Sequence, residues 1–540
     1  MQLILVESPT KARTFNKYLK GDKYRVEATM GHMRDLPKSK LGIDPKSRYK
    51  PEYVEVEEKK EAIEKIEKLA KKSKSIILAT DADREGEAIS YHVAYLLGYV
   101  EEKWPKATLI DGKKLKRIVF HEITKSAIEK ALLTPQELNL DLVDSQQARR
   151  ILDRIVGYKV SPLLWKKMGK RWLSAGRVQT VALRFIVERE KEIEKFKRQA
   201  YYKVFGNFKV SSHEIEAKLV SKEGKTYEAK QKLELFDGDY TYTKTTITAL
   251  NSKVIKEDLS TDSYTVHDVK SSTSKRTPPP PYTTSTLQQD ASRRLGYSSK
   301  YTMSLAQKLY ERGFITYHRT DSVSMSGGFV SSTRKFIKDT YTENYLSEET
   351  RRYKTKSKLA QEAHEAIRPT DVRRDIVKKK GLRGAHLKLY KLIFNRAVAT
   401  QMAPAEILTI KIQILSRKKY LFETSFQSIT FNGYLRLYGK KSEKSNHAKP
   451  GIGDTAKLID LNFEEAETLP PPRYNEASLI KTLEDKGIGR PSTYAPTIST
   501  IQTRNYVEKN EGRFNPSVLG TAVSDYLVSA FPKLFAIDYT

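Results

Sequence analysis

Two strand-patterned stretches lie far apart in this sequence, with a helical block between them. Residues 200–270 run in short Thr/Tyr/Val-rich segments such as "YTYTKTTITAL", and residues 405–460 alternate again ("ILTIKIQIL", "YLFETSFQSITFNGYLRLYG"). Such segments read as antiparallel strands. Residues 283–400 read as helix. Strand regions interrupted in this way call for a nested arrangement, in which both build one domain and the helices are inserted into it. "TPPPPY" (277–282) can be neither helix nor central strand and marks the junction. A charged, loop-like segment is expected near 440–452, and helices resume from 474.

The N-terminal part alternates differently. "LILV" (3–6), "RVEAT" (25–29) and "SIILAT" (75–80) read as strands. "TKARTFNKYL" (10–19), residues 57–72 with Ile63, Ile66 and Ala70 at helical spacing, and "GEAISYHVAYLLGYV" read as helices. Alternation of this kind implies a mostly parallel sheet, with sites at the carboxyl ends of its strands. Residues 140–195 read as helix. In "DSQQARRILDRIVGYK" (144–159), Ala148, Ile151, Leu152 and Ile155 form the apolar stripe, and Gly157 is the expected stop. Four units follow: 1–139; 140–195 with 466–540; 196–276 with 404–465; and 277–403.

Charge points to the partner. The chain holds 98 Lys+Arg against 66 Asp+Glu, a net of +32. Cations placed at phosphates gain by releasing condensed counterions, so nucleic acid is favoured over an anionic membrane surface. There is no cysteine, which excludes disulfides, thiolate zinc sites and Cys nucleophiles. No apolar run approaches the ~18 residues of a membrane span, and "MQLILVESPTK" lacks a leader pattern, so a soluble cytoplasmic protein is expected.

Two stretches carry candidate chemistry. "LATDADREGEA" (78–88) sends Asp81, Asp83 and Glu85 out of a strand end at alternate positions, and Glu7 also follows a strand. Oxygen donors without nitrogen or sulfur suit Mg²⁺. Helix capping by Asp81 and Asp83, with Glu85 in the first turn, explains the same pattern equally well. In "RGFITYHRTDS" (312–322), Tyr317 lies two residues before Arg319. A phenol attacks phosphorus at neutral pH only if nearby cations favour its ionised form, and Arg319 could hold a phosphodiester oxygen bidentately. The chain has 31 tyrosines, so a structural tyrosine is the default at any one of them. No G-x-x-x-x-G-K-[ST] occurs. Breaking and rejoining DNA without ATP would store the bond energy in a phosphotyrosine link. Elsewhere, "WLSAGRVQT" (172–180) offers small residues and Arg177 for a phosphate. "AQEAHEAIRPTD" (360–371) sets His364 four residues before Arg368, as on one helical face.

These stretches, in order, resemble the type IA DNA topoisomerases, in their bacterial topoisomerase I branch. The match runs through "VESPTKA" (6–12), "GHMRDLP" (31–37), "ATDADREGEAI" (79–89), "FHEIT" (120–124), "QQARRILDRIVGY" (146–158) and "LSAGRVQ" (173–179). It continues in "TSTLQQDASRRLGY" (284–297), "RGFITYHRTDS", "AHEAIRPTD" (363–371) and "KGIGRPSTYA" (486–495). The resemblance implies a multidomain α/β plus α+β fold: an N-terminal Toprim domain with a Rossmann-like parallel sheet, helical domains and a β-rich arch, in a ring around a DNA-sized hole. It implies that Tyr317 cleaves one strand and keeps its 5′ phosphate while the other strand passes, relaxing negative supercoils without ATP. By position, Glu7, Asp81, Asp83 and Glu85 match the family's Mg²⁺ cluster, with Glu7 also a proton-transfer candidate. Lys11, Arg319 and His364 match its other catalytic positions. His32, Arg149, Arg150, Asp153, Tyr158, Trp165, the segment Ser174, Ala175, Gly176, Arg177, Val178, Gln179, and Arg319 and Arg504 match DNA contacts. The implied partner is a single-stranded segment of negatively supercoiled DNA, bound by a monomer at the bacterial nucleoid. The family continues past "FPKLFAIDYT" into C-terminal DNA-binding modules, many of them four-Cys zinc ribbons, so this reads as a C-terminally short core.

Two other classes compete. A Toprim nuclease or primase would keep Glu7 and the acids but has no use for Tyr317 beside Arg319. A non-catalytic basic DNA-binding protein accounts for the charge but not for clustered carboxylates, which repel phosphate unless a metal intervenes.

Overall fold

The computed structural model describes residues 1–110, 114–354, 364–374, 382–443 and 450–540. Part of the charged segment expected near 440–452, and the start of the stretch 360–371, lie outside the described residues.

The N-terminal sheet is parallel, in the order Leu115–Arg117, Ser75–Leu78, Gln2–Val6, Tyr24–Ala28. Its apolar runs are continuous because both faces are covered. Ile4, Val6 and Ile77 point towards Ala12 and Phe15 of the helix Pro9–Tyr18. Leu3, Leu5, Ile76 and Leu78 point the other way, onto Ile63 and Ile66 of Lys60–Lys71 and onto Tyr91, Val93 and Ala94 of Arg84–Leu96. Leu5 is in register with Leu78. The two strands therefore end side by side, which sets Glu7 next to the acidic loop after residue 78.

The two strand-patterned regions do form one sheet. Its order is Ala200–Val210, Thr455–Glu467, Tyr264–Arg276, Ala405–Ser416, Tyr420–Phe431, His213–Lys222, and the short Lys225–Thr226. His213–Lys222 also pairs with Ala200–Val210, so the sheet closes on itself. Closure leaves none of the six long strands as a free edge, and Val204, Phe208, Ile410, Ile412, Ile414 and Phe422 fill the interior. Arg276 pairs with Ala405. The residues between them thus leave and re-enter the sheet at one end of one ladder.

Four local expectations are corrected. Gly157 does not stop its helix: Leu140–Met168 runs on through Pro162 and ends at Gly169, in the left-handed conformation. Gly157 faces the carbonyl of Ala175 at a distance a side-chain Cβ would also tolerate. The strand-patterned region 200–270 contains the helix Ala249–Ser260, begun by a Thr248 capping box and packed through Ile255 and Leu259 onto the closed sheet. The C-terminal helical region contains the hairpin Val507–Asn510 with Arg513–Pro516, turned by Glu511 and Gly512 at positive φ. Residues 364–370 are extended, with bridges Tyr282↔Ile367 and Ile315↔Pro369, so His364 and Arg368 share no helical face. Pro369 explains this, because a residue before proline is pushed out of the helical region.

Candidate active site

Lys11 is the centre of the acidic cluster. Ser8 caps the helix Pro9–Tyr18 and so fixes its first turn. From that turn the Lys11 ammonium reaches Oε2 of Glu7 and Oδ1 of Asp81, each at 2.6 Å. The Asp81 N–H donates to Oε1 of Glu7 at 3.0 Å. Lys11 is 2% exposed; burial works against its charge, but Asp81 and Glu7 together hold its pKa above the usual lysine range. Burial and the neighbouring Asp81 push the Glu7 carboxyl up to about 7. Burial also opposes the Asp81 charge, yet Lys11 outweighs it and keeps that carboxyl well below the usual range. One carboxylate of the pair is thus ionised, and the other holds or releases a proton near neutrality.

Tyr317 enters from the inserted region. Its N–H donates to the carbonyl of His121, and its phenol donates to Oδ2 of Asp83 at 2.6 Å. The other oxygen of Asp83 caps the helix Arg84–Leu96 by accepting from the Gly86 N–H at 2.9 Å. Arg319 approaches Oδ2 of Asp83 at 3.8 Å. The expected cationic activation of the phenol is absent from this arrangement. Burial first, then Asp83 and Asp81, raise the Tyr317 pKa well above 10 and overcome Arg319. His364 stands behind the loop, its Nε2 at 2.7 Å from the Ala82 carbonyl and its ring 6.0 Å from that of Tyr317.

A cavity of about 690 Å³ opens in front of these groups. It is lined by Glu7, Lys11, Asp81, Asp83, Glu85 and Arg319, and also by His32, Arg149, Arg150 and Asp153. A second, of about 180 Å³, runs from Asp83, Glu85 and Arg319 past His364 to Arg490 and Ser492. Tyr317 is 2% exposed and lines neither. The remaining candidates lie outside both cavities. Tyr158 donates to the Ser39 carbonyl at 2.8 Å, and the Trp165 indole N–H to the Leu173 carbonyl at 2.7 Å. Gln179 donates to the Ser174 carbonyl at 3.0 Å, and Ala175 donates its N–H to Ser161. Gly176 caps the helix Arg177–Lys195, whose second residue is Val178. Arg177 reaches Asp153 at 3.3 Å, and Arg504 donates to the Trp172 carbonyl.

Several contributors had no role assigned from the sequence. Gln146 donates to Glu85 at 3.0 Å, with His32 on the same oxygen at 3.4 Å. Although burial opposes it, the hydrogen bonds from His32 and Gln146 bring the Glu85 carboxyl down to about 2. Arg117 is 1% exposed; it binds Glu87 at 2.9 Å and the carbonyls of Thr80 and Asp81 at 3.0 and 2.7 Å. It braces the acidic loop from behind. Tyr310 stacks edge-on against Tyr317 at 5.2 Å, and Lys11 lies 5.5 Å from its ring centre. Gln146 sits within a quoted motif; Arg117 and Tyr310 lie just outside two others, with no sequence signal of their own.

The family profile described as DNA topoisomerase matches residues 137–540, and that of the Toprim domain matches residues 2–123. The chain belongs to the type IA DNA topoisomerases. The solved structure of full-length topoisomerase I from Thermotoga maritima is similar throughout: TM-score 0.82, 36% identity, covering 100% of this chain and 84% of that one. Topoisomerases of this type break one DNA strand, pass another through the gap and reseal it. The parallel N-terminal sheet is the Toprim domain, and the closed antiparallel sheet belongs to the same fold.

Toprim domains bind divalent metal ions. The donors here fit a hard cation, being carboxylate oxygens that line one cavity. Among the described residues, no three of them converge as a ready-made metal centre. Lys11 stands between Glu7 and Asp81, Asp83 is engaged by Tyr317, and Glu85 by Gln146. A metal held by Asp83 would share that carboxylate with the phenol and with the Gly86 cap. No helix of the described residues is long and apolar enough to cross a membrane.

Proposed function

We propose that this topoisomerase uses Tyr317 as its nucleophile, on a single-stranded segment of negatively supercoiled DNA. The reading rests above all on the hydrogen bond from the Tyr317 phenol to Asp83, within the acidic cluster and beside Arg319. Asp83 takes the phenolic proton as the oxygen attacks phosphorus. The bond from phosphorus to the 3′ oxygen breaks, and Glu7, with its carboxyl near 7, returns a proton to that oxygen. Arg319 and Lys11 balance the charge that develops on the phosphate. Resealing is the reverse, so the phosphotyrosine bond conserves the energy and no ATP is spent. A Mg²⁺ ion held by Asp81, Asp83 and Glu85, with Glu7 beside them, would add charge stabilisation and hold the DNA ends for rejoining. His32, Arg149 and Arg150 guide the strand into the cavity. The enzyme works as a monomer on chromosomal DNA in the cytoplasm.

The test is a denaturing gel of 5′- and 3′-labelled single-stranded oligonucleotides with wild type and Tyr317→Phe. A protein-linked 5′ end formed by wild type alone is the expected result. Free cut ends with both proteins would make the acidic cluster a metal nuclease instead.

A further inference from the structure

Beyond Gly169 the chain turns through "KRWLSAGR", and Trp172 stands on that turn 42% exposed. Tryptophan is mostly buried in folded proteins, so an indole held in solvent asks for an explanation. The backbone beside it is not loose. Arg504 donates to the Trp172 carbonyl, the next side chain, Leu173, is 1% exposed, and the Leu173 carbonyl accepts the Trp165 indole N–H at 2.7 Å. The ring therefore projects from a pinned loop, with the Lys170 ammonium 5.7 Å from its centre. Lys166, Lys167 and Arg171 are exposed nearby in sequence. Among the described residues no carboxylate pairs with these cations, with Lys170 or with Arg504.

An apolar partner would cover the indole and leave five cations unpaired. Single-stranded nucleic acid satisfies both demands, because a free base stacks on the ring while phosphates meet the cations. A duplex offers phosphates but keeps its base faces stacked inside. The loop also joins the cavity. Five residues after Trp172, Arg177 reaches Asp153 at 3.3 Å, and Asp153 lines the cavity with Arg149 and His32. We propose that Trp172 is a stacking platform for an unpaired base of the bound strand, outside the cleavage cavity. The inference deepens the topoisomerase reading and rests on it. Trp172 thereby helps the enzyme to choose single strands over duplex.

The experiment is tryptophan fluorescence of Tyr317→Phe titrated with an oligo-dT strand and with a duplex of the same length. The chain has three tryptophans, so the same titration with Trp172→Phe added isolates the Trp172 signal. Oligo-dT should quench that signal and the duplex should not. Trp172→Ala should weaken oligo-dT binding about 5- to 150-fold without altering the slope of log K against log salt. Trp172→Tyr, which keeps a stacking face, should recover most of the affinity. Lys170→Ala should instead reduce that slope by about 0.7. An unquenched Trp172, or Trp172→Ala binding oligo-dT as tightly as its parent, overturns the proposal. The labelled-oligonucleotide gel keeps the two readings apart. A wild-type adduct with a silent Trp172 removes this inference alone, whereas no adduct at all removes the nucleophile assignment whatever Trp172 does.

Discussion

The Tyr317 phenol and the Asp83 carboxylate are 2.6 Å apart, joined by a hydrogen bond across 234 residues of sequence. One carboxylate thus serves as helix cap, phenol acceptor and metal-ligand candidate. Asp83→Asn can keep its one oxygen on the Gly86 cap, but it sets an amide NH2 against the phenol and cannot take up the phenolic proton. Single-turnover adduct formation should fall by about 10²-fold or more, with the melting temperature nearly unchanged. The loss should persist at saturating Mg²⁺, which separates a proton role from a weakened metal site. A rate restored by excess metal would leave Asp83 as a ligand only.

Glu7 should set the alkaline limb of cleavage. Burial and Asp81 raise its carboxyl from 4.5 to about 7, so the folded protein holds this proton more tightly than the unfolded chain does. The associated stability is full below about 4.5 and is lost as pH rises through about 7. Its use as a proton donor follows the same direction. Above pH about 7 the single-turnover cleavage rate should drop about tenfold per unit, and Glu7→Gln should give a slow, flat profile. A wild-type limb that survives in Glu7→Gln would assign the titration to another group.

The strand ends carrying Glu7 and Asp81 were legible in the sequence because apolar runs bounded by helices are the signature of a parallel sheet. The closed sheet was legible as two separated strand patterns, but its closure depends on His213–Lys222 pairing on both sides, which no local pattern encodes. Gly157 is no stop because a glycine ends a helix by taking the left-handed conformation, which here Gly169 adopts and Gly157 does not. The state of Tyr317 was the largest miss. Arg319 is visible two residues away, whereas Asp83 and the burial that raises the phenol's pKa come from the fold. Arg117 shows the same limit, since a brace of backbone carbonyls leaves no motif.

Gly86 is the tightest point of the acidic loop. A Cβ there would meet the Asp81 backbone, its nitrogen at 2.8 Å. Gly86→Ala must therefore push the first turn of the helix Arg84–Leu96 away from the strand end and separate Asp81 from Asp83. The expected outcome is at least a tenfold loss of adduct formation and weaker Mg²⁺ dependence, with a stability cost of about 1–3 kcal/mol. Calorimetry and a Mg²⁺ titration of cleavage read the two effects. Wild-type cleavage in Gly86→Ala would mean that the loop geometry seen here is not the working one.

Tyr317 is 2% exposed, so no phosphate reaches it until the inserted region parts from the Toprim domain. The polar contacts that must break include Tyr317 with Asp83 and with the His121 carbonyl, His364 with the Ala82 carbonyl, Arg368 with Glu122 at 3.0 Å, and Ser8 and Thr14 with Glu311, each at 2.8 Å. Each is a single polar contact worth about 1–3 kcal/mol at most, but Phe15, Phe120 and Ile123 also share one buried core with Leu309, Tyr310 and Phe314, so parting must expose apolar surface as well. The chain has no cysteine, so a thiol pair placed at Ser8→Cys and Glu311→Cys would be unique. A short, reducible bis-thiol cross-linker joining them should abolish adduct formation, and reductant should restore the rate of the uncross-linked double variant. DNA binding to the outer surface, read by fluorescence anisotropy, should persist in the linked form. Cleavage by the cross-linked protein would show that the strand reaches Tyr317 without this interface opening.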